Sequence, residues 1–128
     1  MNDNQSSTQG QAKVIEASDW LTELDPWKGS IEGLRLGTGV TVLAYATDEI
    51  GVGPTLHVHP YDEVFVLRAG RALFTVGDRK IEVSAGQIVL GPAHVPHKYH
   101  NLGPGRLESI DIHVSDRWIQ TDLDDPQI

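Results

Sequence analysis

No cysteine occurs among the 128 residues, and methionine occurs once. That excludes disulfides, thiolate metal sites and cysteine nucleophiles, and it suits a reducing compartment such as the cytoplasm. Basic residues are scarce: 10 Lys and Arg stand against 18 Asp and Glu, giving a net charge of −8. A chain so acidic, with a pI near 5.0, offers no surface for nucleic acid and no attraction to anionic lipid. Long hydrophobic runs are absent, so no membrane span is expected. The opening stretch, MNDNQSSTQGQA, lacks the basic region and apolar run of a signal peptide. Helical periodicity is also missing, because no segment after residue 30 keeps a helical period beyond two turns. What remains is ordinary: 39% hydrophobic and 22% charged residues, in a length that suits one domain with a core of its own.

Residues 1–12 are rich in Asn, Gln, Ser and Gly, with little to bury, and are expected to be disordered. Ser18 is placed to cap a short helix, SDWLTEL, that ends at Pro26. Beyond it, Gly and Pro recur between short runs rich in Val, Ile, Leu, Phe and Thr. Strands are predicted at 31–36, 40–47, 55–59, 63–68, 71–76, 80–83, 87–90, 97–101 and 106–114. Gly77-Asp78 between two of them reads as a tight hairpin. Many short strands with close turns point to an antiparallel sandwich or barrel, all-β, in a single domain.

Within GVGPTLHVHPYDEVFVLRAG, His57 and His59 sit two apart, so in a strand both project from one face while Val58 points away. Pro60, Tyr61 and Asp62 then turn the chain, and Glu63 opens the next strand with Phe65 and Leu67 on its face. Two neutral imidazoles and a carboxylate on neighbouring strands suit one divalent ion of the Mn, Fe, Co, Ni or Zn kind. The plainer alternative is a solvent-facing pair of histidines and an unrelated glutamate. A second histidine-rich stretch, GQIVLGPAHVPHKYHN, places His97 after Pro96, with Tyr99 and Asn101 on its strand face.

Together these stretches resemble the two motifs of the cupin superfamily. The first motif is a glycine, five residues, H-x-H, three or four residues, a glutamate, six residues and a glycine, filled here by Gly51, His57, His59, Glu63 and Gly70. The second is a glycine, five residues, P-x-G, two residues, a histidine, three residues and an asparagine, matched by Gly86, Pro92, His97 and Asn101. Fifteen residues separate the two, as in compact bacterial cupins. The resemblance covers about residues 31–114 and implies a small double-stranded β-helix, or jelly-roll barrel. It implies that His57, His59, Glu63 and His97 hold the metal, which if octahedral keeps two positions open for water, dioxygen or a chelating molecule. The expected layout is a tail at 1–12, a segment at 13–30 packed on the barrel, the barrel at 31–115 and a C-terminal tail at 116–128.

Two positions depart from the pattern. His94 stands where P-x-G has glycine, and Gln87 follows Gly86 where many cupins have aspartate. Histidine tolerates a left-handed turn better than most residues, so His94 either occupies the turn and faces solvent or sits at the pocket rim as an acid–base group. Tyr99 is the other catalytic candidate. His100, opposite His97, is expected at a surface or interface. In SIDIHVS, the apolar face of Ile110, Ile112 and Val114 is expected inside, leaving His113 outside or at a subunit contact; the alternative puts Asp111 and His113 at the cavity. Tyr45, Phe65, Phe74 and Tyr99 are read as core, with a pocket lining as the alternative. Trp20, Trp27 and Trp118 are read as packing the terminal segments onto the barrel.

On this scaffold dioxygenases, isomerases and lyases all occur, so an enzyme acting on a small oxygen-rich molecule is the first expectation; a non-catalytic ligand-binding or sensing module is the alternative. A homodimer is also expected. Val58, Val64 and Val66 make an apolar face opposite the ligands, and small cupins commonly pair through one sheet.

Overall fold

The computed structural model describes residues 10–126. Among them lie eleven strands in two antiparallel sheets. The strands are β1 (Leu21–Glu23), β2 (Lys28–Ile31), β3 (Thr41–Thr47), β4 (His57–Val58), β5 (Glu63–Ala69) and β6 (Arg71–Val76). They continue as β7 (Arg79–Ser84), β8 (Ile88–Gly91), β9 (His97–Asn101), β10 (Leu107–His113) and β11 (Thr121–Asp122). One sheet runs β1-β2-β3-β10-β5-β8 and the other β11-β4-β9-β6-β7. This is the jelly-roll architecture expected from the motifs.

Alternation fixes which residues enter the barrel. Along β5, Glu63, Phe65 and Leu67 are buried while Val64 and Val66 are half-buried on the outer face. The apolar interior gathers Phe65, Leu67, Ala72, Phe74, Val83, Val89, Tyr99 and Leu107. Phe65 joins this core to the histidines: its ring centroid lies 5.0 Å from that of Phe74 and 5.3 Å from that of His97. Gly91 keeps the junction tight. A Cβ there would come within 3.1 Å of the Phe65 ring and 3.3 Å of His97 Nδ1. The β6–β7 hairpin turns at Gly77-Asp78 with Gly77 at φ 61°, a left-handed conformation that glycine adopts without strain.

Three sequence expectations are corrected. The run at 31–36 is not one strand: β2 ends at Ile31, and a short helix, Gly33–Leu36, follows. Gly37 closes that helix at φ 93° with its N–H on the Gly33 carbonyl, a glycine stop of the usual left-handed kind. The N-terminal helix is α1, Ala17–Trp20, preceded by Glu16 with no side-chain cap, and the chain becomes strand β1 at Leu21. Pairing with β2 and the packing of Trp20 on Trp27, 5.6 Å between centroids, override the helical pattern there. The sheets also reach beyond 31–115, because β1 and β2 extend one sheet and β11 pairs with β4 in the other. Of the predicted disordered tail, residues 1–9 lie outside the described residues, and residues 10–12 are exposed without regular structure. Among the described residues no helix is long and apolar enough to cross a membrane.

Candidate metal centre

Register brings the motif residues together. His57 pairs with His97 across β4 and β9, and Glu63 opens β5 in the facing sheet. The ligand atoms of His57, His59, Glu63 and His97 all lie within 4.8 Å of one another. Their side chains are almost wholly buried, none being more than 5% exposed.

Backbone carbonyls assign the ring tautomers. The Thr55 carbonyl lies 2.5 Å from His57 Nδ1, and the Ile119 carbonyl 2.7 Å from His59 Nδ1. A carbonyl only accepts, so both Nδ1 atoms carry the hydrogen and both Nε2 atoms keep a lone pair for a ligand role. His59 Nε2 and His97 Nε2 each sit 3.0 Å from Glu63 Oε1. His59 Nε2 is buried without a properly aligned hydrogen-bond partner, and so is His97 Nδ1. For His59, a lone pair facing a carboxylate oxygen at such a distance repels it unless a cation, either a metal ion or an added proton, lies between them. The donor set of three imidazoles and one carboxylate therefore fits a divalent first-row ion.

Glu63 is held from its other side by a residue the sequence placed outside. His113 is 1% exposed, and its Nε2 lies 3.1 Å from Glu63 Oε2. The expected orientation of β10 is reversed: Ser109, Asp111 and His113 face the barrel interior, while Ile110 and Ile112 lie half-buried on the outer face. The cause is register, since His113 pairs with Glu63 and must share its face. The Ile119 N–H donates to Tyr61 Oη at 3.0 Å, and Tyr61 Oη lies 2.8 Å from His113 Nδ1. With Tyr61 donating to Nδ1, the His113 Nε2–H is left to donate to Glu63. Burial works to raise the Glu63 carboxyl, but the His113 Nε2–H and the imidazoles of His59 and His97 beside it outweigh burial and hold the group well below the ordinary carboxylate range. Burial lowers His57; for His59 burial also acts downward, but Glu63 and the Ile119 carbonyl prevail and raise it.

A cavity of about 480 Å³ opens beside the cluster, with His57, Glu63 and His113 on its wall. Tyr99 and Asp111 share that wall, and Tyr99 donates to Asp111 Oδ2 at 2.7 Å. Burial, with Glu63's negative charge adding to it, pushes the Asp111 carboxyl up to about 7. Tyr45 and Phe65 also line the cavity, whereas Phe74 is pure core, stacked on Tyr99 at 4.5 Å. Of the two catalytic candidates, Tyr99 lies on the wall and His94 does not. His94 is an exposed turn residue at φ 66° whose N–H donates to the His59 carbonyl. His100 is half-buried on the face opposite His97. Trp20 and Trp27 pack the N-terminal segment as expected, with the Trp27 indole N–H on the Ser109 carbonyl at 3.1 Å. Trp118 likewise packs the C-terminal segment onto the barrel, edge-on to His113 at 5.4 Å, and it also lines the cavity.

The family model for the cupin domain matches residues 44–113, more than half of the chain, and the protein belongs to that family. An uncharacterized protein of Streptomyces coelicolor is 34% identical over 86 residues, covering 64% of this chain and 81% of that protein. An uncharacterized protein of Methanocaldococcus jannaschii is 36% identical over 62 residues, covering 48% of this chain and 50% of that one. Among solved structures, Bacillus subtilis oxalate decarboxylase, a protein with Mn(II) centres, superposes with a TM-score of 0.68 at 21% identity. The match covers 74% of this chain and only 27% of that larger one, and it shows the shared fold.

Proposed function

We propose that this cupin is a metal-dependent enzyme acting on a small oxygen-rich organic molecule, with one divalent ion held by His57, His59, Glu63 and His97. The observation that carries the reading is the buried His59 Nε2 without a partner, crowded against Glu63 Oε1 at the edge of a cavity of about 480 Å³. A bound ion would supply Lewis acidity, polarising a substrate oxygen. The chain's own residues supply the rest. His113 fixes the Glu63 carboxylate, and the Ile119 and Thr55 carbonyls orient two imidazoles. Tyr99 and Asp111 share a hydrogen bond on the cavity wall, and Trp118 lines the same cavity. The Mn(II) of oxalate decarboxylase puts manganese among the metals to test first, beside Fe, Co, Ni and Zn.

A homodimer in the cytoplasm completes the proposal. It is supported by exposed Ile88 and Leu90 on the sheet edge and by the absence of cysteine. Metal-loaded protein should be screened against catechols, diketones and hydroxy acids, with an oxygen electrode and product detection by NMR. Turnover of any of these supports the enzyme. Saturable binding with no turnover across the panel replaces it with the binding or sensing module.

A further inference from the structure

Asp111 is 4% exposed; the Tyr99 and Ser109 hydroxyls both act on its carboxyl, but only Oδ2 has an aligned hydrogen bond. Oδ2 accepts the Tyr99 O–H at 2.7 Å, whereas Oδ1 is buried with no partner. A buried oxygen left in that state costs free energy, and Asp111 lies on the wall of the cavity that the metal cluster borders. The cavity's charge has a sign as well. Asp111, Asp122 and Glu63 line it, and among the described lining residues Lys28 is the sole Lys or Arg. Tyr99 cannot turn away to serve Oδ1, because its ring is stacked on Phe74 and set edge-on to Tyr45.

We infer that Asp111 is the specificity determinant of this cavity: its Oδ1 accepts a hydroxyl hydrogen from the tail of a small molecule whose other oxygens chelate the metal. The ligand class is then a hydroxylated acid or ketone of a few carbons. A second carboxylate at the tail is rejected, since it would bring an acceptor and a negative charge against Oδ1. This inference rests on the metal-centre reading and narrows it.

Lactate, glycerate and tartronate make the test, because all three present the same α-hydroxycarboxylate chelate and differ in a methyl, hydroxymethyl or carboxylate tail. Their affinities for Mn(II)-loaded protein are measured by titration calorimetry after metal content is determined. The titrations are run at about pH 8, above the value of about 7 to which burial raises the Asp111 carboxyl, so that Oδ1 is an unprotonated acceptor. Glycerate should bind about tenfold more tightly than lactate, the worth of one hydrogen bond to a charged group, and tartronate weakest of the three. In Asp111→Asn the Tyr99 O–H holds the amide oxygen and the NH₂ replaces Oδ1 as a donor. Glycerate should then lose its advantage and tartronate gain about tenfold relative to it. With metal bound, equal affinities, no binding of any acid, or tartronate tightest in the unaltered protein overturns the inference alone. An unchanged order in folded, metal-loaded Asp111→Asn overturns it as well. Failure to retain metal overturns the metal-centre reading itself.

Discussion

Replacing His113 tests how the carboxylate of the centre is held. His113 donates to Glu63 Oε2 at 3.1 Å in a site where both side chains are almost fully buried. Losing a partner that orients a metal-binding group typically costs about 10- to 100-fold in affinity, or about 1.4–2.8 kcal/mol. The two obvious variants should divide that range. His113→Ala leaves a space that water can enter, so a water O–H can serve Oε2 and the loss should fall near the lower end. His113→Phe fills the space and excludes water, leaving Oε2 bare, so the loss should reach the upper end. Tyr61→Phe keeps the imidazole but removes the hydroxyl on His113 Nδ1 and Ile119 N–H, and should fall below either. Metal affinity is read by competition with a fluorescent chelator, with circular dichroism confirming the fold. Wild-type affinity in folded His113→Phe would refute the role given to this histidine.

His97→Ala should lose most of its metal, and His94→Ala should keep it, because His94 is an exposed turn residue; metal-to-protein ratios decide, and an empty His94→Ala would reverse the assignment. The metal-free protein should lose stability chiefly below about pH 4.5, as pH falls from the ordinary carboxyl range toward the depressed Glu63 value. His57, lowered in the fold, adds a loss as pH falls below about 6.5, whereas raised His59 acts in the opposite sense, so the two oppose each other near neutrality. Metal stabilisation should weaken sooner, below about pH 6, since protons compete for the imidazoles; melting curves with and without chelator across pH check both, and identical curves at about pH 7.5 would count against metal binding. Light scattering should give a mass of about twice the 14.0 kDa of one chain, and Leu90→Glu on the sheet edge should shift it toward the monomer. Phe65→Ala should cost about 3–5 kcal/mol in denaturant melts, because the ring joins the core to the histidines.

The sequence displayed the ligand set because its spacing is local. His57, His59 and Glu63 fall within one strand-turn-strand unit, where alternation alone settles which side chains meet. His97 required the resemblance, since only the second motif ties it to the first. His113 was misplaced for a reason of the same kind in reverse. The segment SIDIHVS has one polar and one apolar face, and hydrophobicity alone sends the apolar one inward. Its pairing with β5, far earlier in the chain, decides otherwise, and such long-range register is invisible in a single chain. An interior that holds an ion needs its polar face inside, so the usual rule fails at the site itself. The helix at Gly33–Leu36 was legible in principle from Gly37 as a stop, but the apolar residues in IEGLRL read equally as strand. Trp118 and β11 belong to a stretch with no periodicity, positioned only by contacts with β4 and the Tyr61–His113 pair.

Elemental analysis of protein loaded with Mn, Fe, Co, Ni or Zn and freed of excess metal bears most directly on the centre. One divalent ion per chain, lost when His59 and Glu63 are both replaced by alanine, is the expected result. A loaded and folded wild-type chain that retains no metal, or that retains as much without His59 and Glu63, would contradict it.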